Sequence, residues 1–330
     1  MHFGEPGNLA FLRPNYAKAV ADIVKELGGK PFLTDCNTLY VGGRKNALDH
    51  LDSANLNGFN PTTTGCQIII ADGLKGTDET LVPVEGGTYI KEAKIGRAVM
   101  DADVFISLSH FKGHESTGFG GALKNIGMGC GSRAGKMEMH SAGKPHVDQN
   151  LCIGCQMCAK ICAHDAPEFE NKKQPLTTIN VVGCGRCIGV CPKKMQFYLL
   201  LTKSNEILNC KIAEYTKAVI DNRPHFHISL VIDVSPYCDC HGENDAAIVP
   251  NVGMFASFDP VALDMACAEA VNAQPVLSNS MLGDRSEEER ACHNHDHFHS
   301  IFPETCWETA ISHGEKIGIG NSKYKLITVK

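Results

Sequence analysis

The sequence predicts an α/β fold, a mostly parallel sheet with flanking helices, interrupted by a compact cysteine-rich insertion. Short apolar runs of strand length alternate with segments of helical periodicity, which is typical of α/β layers. Seven cysteines then lie between Cys152 and Cys191, and the alternation resumes after them. We therefore expect a discontinuous host domain, residues 1–145 and 203–330, and an inserted module, residues 146–202.

The first half of the host opens with a helix over Pro14–Leu27. Apolar residues recur there at helical spacing, Pro14 suits the first turn, and Gly28 and Gly29 provide a stop. Short apolar runs bounded by polar residues or glycine predict the strands that follow, Pro31–Asp35, Gln67–Ala71 and Asp103–Leu108.

The second half repeats this pattern. Asp259 and Pro260 are a cap and a first-turn proline for a helix that runs to about Val271. The other predicted elements are a helix over Ile207–Ile220, strands over His227–Asp233 and Gly253–Ser257, a helix over Trp307–Lys316 and a closing strand over Tyr324–Val329. Because the host continues on both sides, the two ends of the inserted module must lie close together.

Composition excludes several classes of protein. The net charge of −6 argues against a nucleic-acid partner, which requires a basic surface. No apolar run approaches the ~18 residues of a membrane span, and no signal peptide precedes the first motif, so we expect a cytoplasmic protein. Sixteen cysteines in a chain of 330 residues suit a reducing cytosol, that of an anaerobe, better than a disulfide framework.

The cysteine spacing predicts iron–sulfur chemistry. The first run is Cys152-x2-Cys155-x2-Cys158-x3-Cys162, the spacing of a bacterial ferredoxin, in which the fourth cysteine binds the other cluster. The second run, Cys184-x2-Cys187-x3-Cys191-Pro192, lacks its opening member, since Val181 occupies that position. The insertion is therefore interpreted as a ferredoxin-like α+β module.

Crossed ligation assigns the cysteines to two clusters. One [4Fe-4S] cluster is assigned to Cys152, Cys155, Cys158 and Cys191, and the second cluster to Cys162, Cys184 and Cys187. The second is either [3Fe-4S] or [4Fe-4S] with a non-standard fourth ligand. Structural zinc is the alternative, but it would use only four of the seven thiolates. An iron with an open position could also bind a substrate.

Three cysteines outside the module are candidates for a metal or for the missing ligand. Cys238 and Cys240, two residues apart, would point the same way from an extended segment. They follow a predicted strand, where α/β proteins collect ligand-binding residues. Cys130 is the third candidate. The remaining cysteines are interpreted as small buried apolar residues: Cys36, Cys66, Cys210, Cys267, Cys292 and Cys306.

The segment from Ser107 to His140 is rich in glycine, histidine and cations. His110 and His114 are candidates for general acid–base catalysis because histidine titrates near neutral pH, and Gly113 between them favours a loop over a helix. Lys112 and Lys124 could bind a carboxylate or phosphate. For each histidine here, His140 included, the alternative is a hydrogen-bonded structural role.

The glycines of this segment suggest an anion site. Gly118, Gly120 and Gly121 precede Ala122 and could let backbone N–H groups approach an anion at a helix N-terminus, with Arg133 and Lys136 adding charge. The alternative is a tight turn packed on the sheet with solvated cations.

Four alternating histidines near the C-terminus form a further motif. In an extended segment they would share one face and could bind zinc or nickel, and the alternative that we favour is an exposed polar loop before the last helix. The four are His293, His295, His297 and His299.

Several motifs together resemble the DUF362 family of anaerobe iron–sulfur proteins. They are His2-Phe-Gly-Glu-Pro-Gly-Asn8, the Ser107–His140 segment, Pro236-Tyr-Cys-Asp-Cys240 and Ile317-Gly-Ile-Gly320. The resemblance implies an inserted bacterial-type module with two complete cysteine quartets. This chain departs from that pattern at Val181 and at Ala163, where a proline usually follows the fourth cysteine.

The leading functional hypothesis is an iron–sulfur oxidoreductase. A ferredoxin-like donor would reduce the fully ligated cluster, which would pass electrons to the three-cysteine cluster beside a pocket for a small anionic substrate. His110 or His114 would supply the proton, and Lys112 or Lys124 would bind the anionic group. The alternatives are an electron-transfer subunit without its own substrate and a metal- or cluster-handling protein.

Overall fold

The computed structural model describes residues 1–39, 42–140, 147, 152–162, 166–170, 174–177, 192 and 201–329. Val181, Cys184, Cys187 and Cys191 lie outside the described residues, and with them the prediction of a three-cysteine cluster. None of the helices in the described ranges has an apolar stretch long enough to cross a membrane.

The helices are α1 (Pro14–Glu26), α2 (Ala47–Leu56), α3 (Pro61–Thr64), α4 (Arg97–Met100), α5 (Ala122–Cys130), α6 (Arg133–His140), α7 (Met157–Ile161), α8 (Leu201–Ile220), α9 (Pro260–Asn272), α10 (Glu287–Cys292), α11 (His297–Ile301) and α12 (Glu308–Lys316). The strands are β1 (Phe32–Asp35), β2 (Gln67–Ile70), β3 (Glu79–Pro83), β4 (Glu92–Gly96), β5 (Phe105–His110), β6 (Lys112–His114), β7 (Gly118–Gly120), β8 (Pro167–Glu170), β9 (Gln174–Thr177), β10 (His225–Val231) and β11 (Gly253–Ser257).

The α/β class is confirmed, with several small sheets in place of the expected mostly parallel sheet, since two of the six described strand pairs are parallel. β10 lies between β5 and β11, parallel to the former and antiparallel to the latter. β1 and β2 form a second parallel pair. The pairs β3–β4, β6–β7 and β8–β9 are antiparallel. In the described pairs, the two parallel ones join strands with helices between them in sequence, because a parallel neighbour needs a crossover connection.

The predicted helices and most strands are confirmed to within a few residues, except that α8 begins at Leu201, six residues before its predicted start. Asp259 caps α9 as expected, since its Oδ1 accepts from the backbone N–H groups of Val261 and Ala262 at 2.8 and 2.9 Å. The closing strand is wrong. Residues 323–329 pair with none of the described strands, and their side chains are exposed. The apolar residues there, such as Ile327, meet no sheet edge that could supply ladder hydrogen bonds.

The main core joins the chain on both sides of the cysteine segment. α8 packs against α5 and α12, and Ile126 and Ile212 are fully buried there. The Thr216 hydroxyl of α8 donates to the carbonyl of Leu123 in α5 at 2.9 Å. A smaller cluster around Phe3, Phe59 and other apolar residues joins the β1–β2 pair to the three-stranded sheet. The carboxyl end of β5 is thereby fixed relative to the segment that follows β10.

Candidate metal-binding site

Two loops meet at the carboxyl ends of β5 and β10. The hairpin β6–β7 follows β5 directly, and the segment 232–241 follows β10. The N–H of Gly113 donates to the carbonyl of Ser235 at 2.8 Å. A Cβ at Gly113 would clash with the carbonyl oxygen of Pro236, so this close approach requires glycine. The approach brings residues 110–114 beside residues 238–240.

The two loops place three potential metal ligands together. A ring nitrogen of His114 and the sulfurs of Cys238 and Cys240 all lie within 4.8 Å of one another, and all three residues are buried. The N–H of Cys240 also donates to the Cys238 sulfur at 3.4 Å. The two sulfurs lie close together through a turn at residues 239–240, not through the extended segment that we expected. Two thiolates and an imidazole suit zinc or iron.

His114 has a defined tautomer. Its Nδ1 accepts from the backbone N–H groups of Ser116 and Thr117 at 3.0 and 3.2 Å. Burial lowers the pKa of His114 to about 4, so the ring is neutral at pH 7 and its proton lies on Nε2. His114 can therefore donate a proton from Nε2, and a metal bound there would have to displace it.

The thiols of Cys238 and Cys240 differ in acidity. Burial raises the pKa of Cys238 well above its ordinary value, whereas the hydrogen bond with Cys238 lowers the pKa of Cys240. The half-buried Lys124 places Nζ 3.7 Å from the Cys238 sulfur. The first thiolate of the pair therefore forms at Cys240, with an ammonium group nearby to stabilise it.

An ion pair lies at the edge of this group. His241 Nε2 is 3.0 Å from Glu115 Oε1, and that contact raises the pKa of His241. Glu115 Oε2 lies 3.8 Å from His114 Nδ1. Burial, followed by the charge of His114, lowers the pKa of His140 to about 4, so His140 lies near the same group.

Asp239, between the two cysteines in sequence, accepts from the Cys238 thiol through Oδ1 at 3.5 Å and has further partners of its own. Its Oδ1 is 3.0 Å from Lys112 Nζ, and its Oδ2 is 3.2 Å from His110 Nδ1. Lys112 Nζ also donates to the carbonyl of His110 at 3.1 Å, and His110 Nε2 donates to the carbonyl of Ile232 at 2.8 Å. The structure thus brings His110 and Lys112 to the site, but their polar atoms are already bonded to Asp239 and to backbone carbonyls.

A buried network behind Asp239 was missed by sequence reasoning. Arg44 is 1% exposed and donates to Glu5 Oε2 at 2.8 Å and to the carbonyl of Cys240 at 3.2 Å. The N–H of Glu5 donates to the carbonyl of Asp239 at 3.0 Å, and His2 Nε2 is 2.7 Å from Arg44 Nη1. His2 and Glu5 belong to the opening motif, which was the available signal for this network.

The expected anion site at the N-terminus of α5 is occupied by the protein itself. Asp264, in α9, accepts from the N–H groups of Ala122 and Leu123 at 2.6 and 2.9 Å. A Cβ at Gly121 would clash with the Asp264 carboxylate. The packed turn is therefore the correct alternative for the glycines. Asp264 carried a signal, as a lone acidic residue in the apolar face of a helix.

Three other predicted residues lie apart from the ligand group. Lys136 donates to the carbonyls of Gly131 and Gly129 at 2.7 and 3.2 Å, near the end of α5. Cys130 is buried at the end of α5, where its carbonyl accepts from the Cys36 thiol at 3.3 Å. Arg133 begins α6, beside Gly76.

The described part of the cysteine segment holds the first run. Cys152, Cys155, Cys158 and Cys162 flank or lie in α7, and Cys162 Sγ accepts from the N–H of Ala166 at 3.4 Å. Burial raises the pKa of Cys158, and the nearby thiols of Cys155 and Cys152 add to that shift. The chain is thus cysteine-rich and contains groups that could hold a metal ion.

Comparison with known proteins identifies a family. The model of the domain of unknown function DUF362 matches residues 1–269. The thylakoid-associated protein sll1697 of Synechocystis sp. is similar, at 30% identity over 131 residues, which is 38% of this chain and 35% of that protein. The chain thus matches about a third of the relative's length. Since the family model covers most of the sequence, the protein belongs to the DUF362 family.

Proposed function

We propose that the protein is a cytoplasmic iron–sulfur oxidoreductase that acts on a small anionic substrate beside His114, Cys238 and Cys240. The observation that carries the proposal is the convergence of two thiols, a neutral imidazole and the Lys124 ammonium group in one buried place. The same chain contains ferredoxin-type cysteine spacing. A ferredoxin-like protein is the proposed electron donor.

The cysteine spacing supports two clusters. Cys152, Cys155, Cys158 and Cys191 would hold a [4Fe-4S] cluster, and Cys162, Cys184 and Cys187 would hold a second one, either [3Fe-4S] or [4Fe-4S] with another fourth ligand. The contribution of the Cys152 and Cys155 thiols to the raised pKa of Cys158 fits a shared cluster site. When bound, such clusters supply single electrons.

The pocket residues divide the remaining work. His114 would protonate the substrate from Nε2, because its Nδ1 is engaged with the backbone. Lys124 would bind the anionic group, since its described contact is a thiol and not a carboxylate. Asp239 would act through His110 and Lys112 by fixing the loop that carries the thiols. Burial of the group would exclude water and strengthen each of these contacts.

Two alternatives remain in the proposal. An electron-transfer subunit would use the clusters without a substrate of its own. A metal- or cluster-handling protein is favoured by the His114–Cys238–Cys240 group, which could accept a metal without help from the module. Both predict that small anions leave the cluster spectra unchanged.

The test is an anaerobic iron and sulfide count with EPR of the reduced protein, with and without added carboxylates and phosphate. We expect two clusters and an EPR spectrum that changes when an anion is added. Lys124→Met should abolish this change. The exposed Lys91→Met is the matched control and should behave as wild type. Absence of acid-labile sulfide would overturn the whole proposal, and clusters that ignore every anion would favour a carrier. Val181→Cys should convert the second cluster's spectrum to that of a complete quartet.

A further inference from the structure

The alternating histidines do not form one extended face. α10 ends at Cys292, and α11 begins at His297 with Asp296 as its N-cap. His297 is buried, and its Nε2 donates to the carbonyl of Gln274 at 3.1 Å. The four rings therefore cannot act as one ligand set, as the motif alone would suggest.

One of the four histidines instead joins two carboxylates. Ligand atoms of Asp296, His299 and Glu308 all lie within 4.8 Å of one another. His299 Nδ1 is 3.8 Å from Asp296 Oδ2, and His299 Nε2 is 3.6 Å from Glu308 Oε2. Asp296 and His299 lie at the start of α11, whereas Glu308 lies in the first turn of α12.

Neighbouring groups orient the ring and the Asp296 carboxylate. His299 Nε2 lies 3.1 Å from the carbonyl of Thr305 and donates to it, which leaves the lone pair on Nδ1. Metal-binding histidines have this arrangement, with the other ring N–H held by a carbonyl. Asp296 Oδ2 accepts from Trp307 Nε1 at 3.0 Å and from Asn272 Nδ2 at 3.4 Å, so it is held beside that lone pair.

The negative charge of the group is also not balanced by cationic side chains. Among the described residues no Lys or Arg nitrogen lies within 4 Å of the Asp296 or the Glu308 carboxylate. Two carboxylates thus face one imidazole, and a divalent cation would offset their charge. Glu308 is more than half exposed, and its side chain is long enough to turn toward Nδ1.

We propose that Asp296, His299 and Glu308 bind one divalent transition-metal ion, best matched by Zn²⁺. This site is separate from the one formed by His114, Cys238 and Cys240. One imidazole and two carboxylates suit zinc, whereas Mg²⁺ and Ca²⁺ prefer oxygen ligands alone. Three protein ligands leave a position for water. The ion would join α11 to α12 and so stabilise the folded chain in proportion to its binding.

The probe is Co²⁺ alone, titrated anaerobically into cluster-loaded protein. A site of nitrogen and oxygen ligands gives only weak visible bands, whereas thiolate ligands add an intense sulfur-to-metal band in the near ultraviolet. In difference spectra against the same sample before Co²⁺, we expect one of the bound equivalents to give the weak bands and to be displaced by Zn²⁺. Glu308→Gln and His299→Gln should weaken its binding at least about tenfold, since even outer partners of a metal ligand are worth about 10- to 100-fold.

His293→Gln is the matched control, because it belongs to the same motif but not to the ligand group. Glu308→Gln leaves the Asp296 cap of α11 intact, so a loss of binding there would not come from loss of the helix. Equal Co²⁺ affinity in Glu308→Gln and wild type would overturn the proposal. So would a wild-type protein that binds Co²⁺ only with the thiolate spectrum.

Discussion

Cys238 and Cys240 differ from Asp239, which lies between them in sequence, in the hydrogen-bond and ion-pair partners that the protein provides for their side chains. The carboxylate oxygens of Asp239 contact Lys112 and His110, which are themselves held by backbone carbonyls. Cys238 Sγ makes a longer contact with Asp239 Oδ1, at 3.5 Å, and the two sulfurs otherwise face His114 and Lys124. Adjacent buried residues can thus serve as scaffold and as reactive group, and their partners, not their residue types, distinguish the two roles.

The most severe test of the comparison removes the scaffold charge. Asp239→Asn leaves Lys112 buried without its carboxylate, so we expect the free energy of unfolding to fall by about 3 to 5 kcal/mol. Urea denaturation measures this. Asp245→Asn, at an exposed position, should change stability by less than about 0.5 kcal/mol. Equal midpoints for the two variants would mean that Asp239 is not a scaffold residue.

His114 should make the folded protein less stable in acid, because it is buried as a neutral ring. Burial lowers its pKa from 6.5 to about 4, so between these values the unfolded chain binds a proton that the folded chain does not. Stability is complete above pH 6.5 and falls as the pH drops toward 4, by about 3 kcal/mol for this residue. His114→Gln should reduce that fall in urea titrations from pH 7 to pH 4, although His140 shifts in the same direction.

The control for this pH effect is His295→Gln, in the exposed loop between α10 and α11. It should retain the wild-type difference between pH 7 and pH 4. If His114→Gln retains that difference as well, folding does not lower the pKa of His114, which would contradict the neutral buried ring that we propose as proton donor.

The two lysines of the site give a matched pair. Lys112→Met leaves Asp239 with fewer partners and should lower the free energy of unfolding by about 2 to 3 kcal/mol. Lys124→Met should lower it by less than about 1 kcal/mol, because Lys124 is only half-buried. Thermal denaturation of both variants measures the contrast. Similar losses would remove the distinction between a positioning and a ligand-binding lysine.

A small effect on stability is also expected at the thiols. Cys240→Ala should lower the free energy of unfolding by only about 1 kcal/mol. The same variant should lose the sulfur-to-metal absorption of bound Co²⁺. Cys292→Ala should keep it, because Cys292 is exposed and not buried as expected. An unchanged band in Cys240→Ala would show that the thiol pair is not the metal ligand.

Local signals predicted the elements well. The proline of α1 and the cap and proline of α9 located these two helices. These features depend on neighbours in sequence. The strand predicted for residues 324–329 failed because a strand needs a partner edge, which its own sequence cannot specify.

Roles that depend on distant partners could not be predicted. His110 and His114 are equally plausible acid–base residues by type, and only the contact with Asp239 separates them. Arg44 lies 196 residues from the Cys240 carbonyl that it binds, so no local pattern connects them. The histidine motif also could not be interpreted from its own residues, because His299 becomes a candidate ligand only through its proximity to Glu308 in the next helix.

The cap that Asp264 places on α5 has a consequence for synthesis. The two residues joined by its shorter hydrogen bond are separated by 142 positions. Because the ribosome adds residues from the N-terminus onward, α5 lacks this cap until the chain has grown past α9. The cysteine run at 152–162 leaves the ribosome earlier, before the flanking core can close. Any cofactor for those thiols can therefore be delivered to a nascent chain whose core is still open.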